Sequence, residues 1–216
     1  MKIVRPSLFL LLVCLPLLGG CAFGVGQVGP VGPLGRPEHP FGTMFGVGFK
    51  ATNESFTGQR DSTWMPAFAT VAEVSYNLPG NLVSLGAAYS NAASVDMDRD
   101  DGTLAGPKKV IWRGYATGPA AWLRLASAVN VEGKALRLHT HIDNADAYYP
   151  STSGGDRVDL NGWRYEGDLN FLFHTRQGKL GVKLGWQMTK SDATDAWGAS
   201  RAYESNGPHL VYWHNF

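Results

Sequence analysis

From Phe41 onward the chain alternates apolar and polar residues with a two-residue period, and the division between faces is close to complete. In "WRYEGDLNFLFH", Trp163, Tyr165, Leu169, Phe171 and Phe173 fall on one side, and Arg164, Glu166, Asp168, Asn170 and His174 on the other. "TWMPAFATVAEVSYNL" divides the same way, with Trp64, Phe68, Ala72, Val74, Tyr76 and Leu78 opposite Ala67, Ala69, Glu73, Ser75 and Asn77. A period of 2 is the signature of a β-strand, whose successive side chains point to opposite faces. It recurs in "MFGVGFKA", "NLVSLGAAYS", "AAWLRLASAVNV", "KALRLHTHID", "GKLGVKLGWQMTK" and "HLVYWHNF", which makes eight strands in all. The 27 glycines and 12% aromatic content suit such a β-protein with many turns.

The connections differ by end. "LPGN", "VEGK" and "TRQGK" read as tight hairpin turns with Gly at the position favouring positive φ. The others, about residues 52–63, 92–117, 144–160 and 191–207, are long and polar. "KKVIWRGYA" (Lys108 to Ala116) leaves two readings, an extension of the fourth strand or a strand-like piece of loop. Short turns at one end and long loops at the other are the layout of a membrane-spanning barrel. No run reaches the roughly 18–20 apolar residues of a membrane-spanning helix, so any spanning must be done by strands.

Ahead of the strands, "MKIVRPS" and "LFLLLVCLPLL" form a basic segment followed by an apolar one, a signal peptide over residues 1–20. "LLGGCAFG" then resembles the lipobox of bacterial lipoproteins, which implies acylation of Cys21; secretory cleavage after Ala22 is the competing reading. Residues 21–40 are rich in Gly and Pro and read as a tether, leaving 41–216 for the folded domain. With Cys14 in the signal and Cys21 at the cleavage site, the mature chain forms no internal disulfide. Loss of Lys2 and Arg5 takes the net charge from +1 to −1, which argues against a nucleic-acid binder.

Eight up-and-down strands fit either a soluble lipocalin-like barrel, polar outside, or a transmembrane barrel with its faces reversed. Three features favour the second. Small residues crowd the polar face (Gly46, Gly48, Ser84, Gly86, Ala126, Gly181, Gly185), as a narrow interior requires. Trp64, Tyr76, Tyr89, Trp163, Tyr165, Phe173 and Trp186 lie on the apolar face near strand ends, as interfacial girdles do. The last strand ends on Phe216, with Tyr212 on the same face. In this the chain resembles outer-membrane β-barrels, whose terminal aromatic is associated with recognition by the barrel-assembly machinery. The pattern over residues 41–216 is similar to the eight-stranded OmpA/OmpX-type barrels, while the lipobox departs from that family.

The resemblance implies a bacterial outer-membrane protein that needs no cofactor, has outer-membrane lipid as its neighbour, and meets an extracellular or envelope partner through its loops. By alternation, Lys50, Arg124, Arg137, Arg164 and Lys183 point inward with Glu73, Asp143, Glu166 and Asp168, an ion-pair network able to plug the lumen. A narrow pore is the alternative use of the same residues. His139, His141 and Asp143 in "HTHID" share that face and form a candidate Zn²⁺ or Cu²⁺ site. "DMDRDDG" imitates the start of a calcium loop but has Asp101 where the turn glycine belongs. A lipid A-modifying enzyme needs a His, Ser and acid together; His214 has no serine beside it, and "KSDATD" offers Ser191 and Asp192 without a recognised motif. The expectation is therefore a non-enzymatic barrel, with a periplasmic lipocalin-like carrier of apolar ligands as the runner-up.

Overall fold

A computed structural model describes residues 41–56, 63–95, 111–143, 157–175, 178–195, 198 and 200–215. Eight antiparallel strands follow in chain order: β1 (Phe41–Phe56), β2 (Thr63–Asn77), β3 (Val83–Val95), β4 (Ile111–Ala126), β5 (Val129–Asp143), β6 (Arg157–Thr175), β7 (Gly178–Asp195) and β8 (Ser200–Asn215). Each pairs with its sequence neighbour, and β8 returns to β1 to close the ring, with Phe49 opposite Leu210 and Val47 opposite Tyr212.

Polarity is inverted relative to a soluble protein. Lys50, Glu73, Glu132, Lys134, Glu166, Asp168 and Lys183 are buried inside, while Phe45, Phe68 (68% exposed), Leu85, Leu123, Tyr165, Leu184 and Trp186 stand exposed outside. Such an exterior is stable only against lipid, since water would penalise every one of these side chains. A lipocalin-like carrier would need the opposite arrangement, with an apolar interior. The fold is an eight-stranded transmembrane β-barrel.

The apolar exterior is a band with sharp edges. On β7 it runs from Leu180 through Val182, Leu184 and Trp186 to Met188, after which exposed Lys190 and Asp192 follow on the same face. Nine residues cover about 27 Å of strand, or about 20 Å of height at the usual tilt of 35–45°. On β5 the outward face changes from Ala135 to Arg137, and on β6 from Trp163 to Asn161. Beyond these positions the strands continue as paired polar walls towards the long loops. This explains why β1, β3, β4, β6, β7 and β8 all extend into the stretches expected to be loops. Above the lipid the outward face turns polar, so the alternation fades although the ladder does not. "KKVIWRGYA" accordingly contributes β4 from Ile111.

Two turns lie within the described residues at the narrow-loop end. "LPGN" turns as expected, with Gly80 and Asn81 both at positive φ and the Asn81 amide donating to the Leu78 carbonyl (3.0 Å). The second turn differs from expectation. It is Ser127–Ala128, and "VEGK" lies inside β5. Gly133 there is an extended lipid-facing residue with open space around it, and its neighbours Glu132 and Lys134 point inward.

That displacement reverses the face assignment for the rest of β5. Leu136, Leu138 and Ile142 point inward and are buried, whereas Arg137, His139, His141 and Asp143 point outward above the band. The inward leucines pack with Met44, Val71, Ala88, Ala116, Ala120, Trp122, Leu172, Val211 and Trp213 in an apolar lining of the lumen. This lining fits because facing positions are small. A Cβ at Gly181 would overlap the indole of Trp213, and one at Gly185 would overlap Asp168 and His209.

Candidate functional site in the barrel lumen

Lys134 is the hub of the interior. Its ammonium lies 3.1 Å from Glu73, 3.2 Å from Glu132, 3.2 Å from Glu166 and 2.9 Å from Asp168. Lys183 reaches Glu73 and Glu132, each at 2.6 Å. Lys50 donates to Glu166 at 2.6 Å and lies 3.4 Å from the Ser90 hydroxyl. Arg164 stands 3.9 Å from Glu166. His209 bonds to Asp168 through Nε2, and the indole of Trp213 donates to Asn170 at 2.9 Å. Lys50, Lys134, Arg164 and Lys183 balance Glu73, Glu132, Glu166 and Asp168, so the cluster is neutral before His209 is counted.

The geometry follows from the ladder. Glu132 faces Asp168 and Lys134 faces Glu166 across β5 and β6, which places opposite and like charges in one checkerboard. Lys50, Glu73, Lys183 and His209 then reach in from β1, β2, β7 and β8. Desolvating this many charges is costly, and it is tolerated because the central ions, Glu73, Glu132, Lys134, Glu166, Asp168 and Lys183, each have two or more partners. A deletion of one member would leave the remainder uncompensated.

Of the expected lumen residues, Lys50, Glu73, Arg164, Glu166, Asp168 and Lys183 do meet in the interior. Arg124 points inward at the turn end of β4, beside the bulge before Ala126, with no ion-pair partner among the described residues. Arg137 and Asp143 do not belong to the network. With the β5 phase reversed, Arg137 bonds to Asn161 and lies over Trp163, and Asp143 lies 3.7 Å from Arg113 on the outer wall. Sequence reasoning missed Glu132, Lys134 and His209. The signal was present: "VNVEGKALRL" keeps its period through the glycine, and His209 shares its face with Val211 and Trp213.

The expected metal ligands also stand on the outer wall. His141 Nε2 is 3.8 Å from Asp143, while the ring of His139 stacks on Tyr115. Among the described residues the group with metal-binding geometry is Glu166, Asp168 and His209, whose ligand atoms lie within 4.8 Å of one another. Lys134 contacts both of those carboxylates, so its ammonium supplies the positive charge there. Ser191 faces inward and donates to the Asp192 carbonyl (3.0 Å), whereas the Asp192 side chain faces out, so the two do not form a catalytic pair. Tyr212 faces outward from β8. Cys21, the "DMDRDDG" stretch and Phe216 lie outside the described residues, as does the side chain of His214.

Above the network, towards the loop end, a cavity of about 40 Å³ is lined by Lys50, Arg164, Gln187, Thr189, Trp112 and Tyr203. This is the space of about one water molecule.

The eight-stranded ring and the inverted polarity together define the architecture. It is that of a small membrane-spanning β-barrel. Solved structures of similar shape include neisserial surface protein A (9% identity, 81% of this chain and 97% of that one, TM-score 0.48). Another is Ail, the attachment invasion locus protein of Yersinia pestis (11% identity, 79% and 97%, TM-score 0.46). The same protein in complex with the heparin analogue sucrose octasulfate gives 9% identity, 79% and 97% coverage and a TM-score of 0.47. No family model matches the chain, and no curated protein does.

Proposed function

We propose that this chain is a non-enzymatic protein of the bacterial outer membrane, in which the barrel is a platform and the segments at the long-loop end are the contact surface for an extracellular or envelope partner. The observation that carries this reading is the neutral, multiply bonded charge cluster across the lumen. It fills the interior with structural ion pairs and, among the described residues, leaves neither a ligand chamber nor a nucleophile with its base.

In this reading residues 1–20 are the signal and Cys21 carries the lipid, anchored in the periplasmic leaflet at the end where β1 begins. The barrel-assembly machinery inserts the chain, reading its C-terminal aromatic positions Tyr212 and Phe216. Growth with labelled palmitate tests the anchor: the expected result is label in the wild-type band and none in Cys21→Ser. Label absent from both would remove the lipoprotein assignment and leave the barrel untouched. Folding into the outer membrane is checked by heat-modifiable gel migration of the membrane fraction. A single heat-insensitive band released by carbonate would overturn the membrane reading.

A further inference from the structure

We infer that the outer wall of β1–β6 carries a binding site for a phosphorylated glycolipid of the outer leaflet, of the lipid A type; this rests on the reading of the chain as an outer-membrane barrel. Three features lie together on the outer surface, at and just above the edge of the apolar band. Arg137 stands just above the last apolar position of β5, with its guanidinium 5.7 Å from the ring centre of Trp163. Arg113 and Arg157 are 3.7 Å and 3.0 Å from Asp143 and Asp159, and Lys190 is 4.0 Å from Glu204. Arg137 is thus the outward cation without a carboxylate partner among the described residues. One Nη of this guanidinium donates to Asn161, and the remaining N–H groups of the fork can meet the oxygens of a phosphate.

Beside it, starting two residues nearer the loop end of β5, runs a stack of rings across three strands. His139 lies on Tyr115 (4.9 Å, 26° between planes) and Tyr115 on Tyr89 (5.7 Å, 22°). Flat, half-exposed rings at the membrane interface suit the apolar face of a sugar ring while their polar edges remain hydrated. Tyr89 then forms the upper end of an apolar groove of about 420 Å³, whose outward lining is Thr43, Ala72, Val74, Ala87, Tyr89 and Thr117. The groove forms because these side chains are small where the neighbouring wall carries Phe45, Phe49 and Leu123. It accepts an acyl chain. A sugar ring on the stack, a phosphate at Arg137 beside it and an acyl chain in the groove below are the parts of a phosphorylated glycolipid. A phospholipid offers no ring for the aromatic stack.

The test uses the full chain refolded into phosphatidylethanolamine vesicles containing lipid A, dephosphorylated lipid A or phosphatidylglycerol. The lipid retained after mild detergent extraction is read by native mass spectrometry. The expected result is selective retention of lipid A, at least tenfold weaker for Arg137→Ala and for Ala87→Phe, which fills the groove, and unchanged for Arg157→Ala. Equal retention of the dephosphorylated lipid or of phosphatidylglycerol would overturn the assignment, as would wild-type retention by Arg137→Ala. Heat-modifiable migration keeps the two readings apart. A folded variant without selectivity sinks the site alone, whereas a wild type that never shows the folded band sinks the membrane reading and the site with it.

Discussion

At the scale of single residues, Lys134 concentrates the energetics of the interior, because four carboxylates converge on one fully enclosed ammonium. Replacing it by Met preserves much of the side-chain volume but leaves Glu73, Glu132, Glu166 and Asp168 with one cation fewer. Lys134→Met is expected to destabilise the barrel by about 3–5 kcal/mol, the usual cost of orphaning a buried ion. Urea titration of the folded gel band measures this. Adding Glu132→Leu restores the balance of charge, so the double variant should recover part of the loss, a coupling that independent sites would not show. A double variant as unstable as the sum of the two singles would mean that Lys134 acts by packing rather than by charge.

The strands themselves act by which face meets lipid. Leu184 lies in the middle of the outward run of β7 and is 49% exposed to the surroundings of the barrel, so Leu184→Arg puts a cation at mid-membrane. That change is expected to cost about 2–4 kcal/mol, whereas Asp192→Arg, outward and above the band on the same strand, should cost about 0–1 kcal/mol. Folding efficiency into vesicles of one lipid composition compares the two. Equal effects would mean that the band edge lies elsewhere. Seven strand phases were legible from composition alone because lipid and lumen impose opposite chemistry on alternate positions. β5 was the exception, for an identifiable physical reason. Gly133 looked like a turn residue, yet a lipid-facing strand position accepts glycine without penalty to the ladder. Placing the turn at "VEGK" then moved every later residue of β5 to the wrong face. Above the membrane β5 reverses the usual division, with Leu136, Leu138 and Ile142 inward and Arg137, His139, His141 and Asp143 outward, so the clean alternation of "KALRLHTHID" reinforced the error. The charge network was legible in part, since alternation alone identified six of its members, but the identity of its hub depended on that one turn.

For the whole molecule, the closed ring and the contents of its lumen decide whether solutes pass. An eight-stranded barrel has an interior just wide enough for side chains to fill. Here the filling is stitched between opposite walls: Lys183 on β7 reaches Glu73 on β2, and Lys50 on β1 reaches Glu166 on β6. Trp122 and Trp213 occupy the lumen towards the turn end, both fully enclosed. For an ion to traverse this path, the pairs must part and several buried charges must lose their partners together. Each would forfeit interactions worth several kcal/mol, so opening is rare on the scale of thermal energy. The purified protein in a planar bilayer is therefore expected to show no resolvable single-channel steps in symmetric salt. The Glu73→Ala, Lys183→Ala double variant removes a tie across the lumen and creates space beside it, and brief low-conductance openings are expected there. Steady conductance from the wild type would refute the plugged barrel, because a network that conducts cannot also be the rigid filling that holds the walls together.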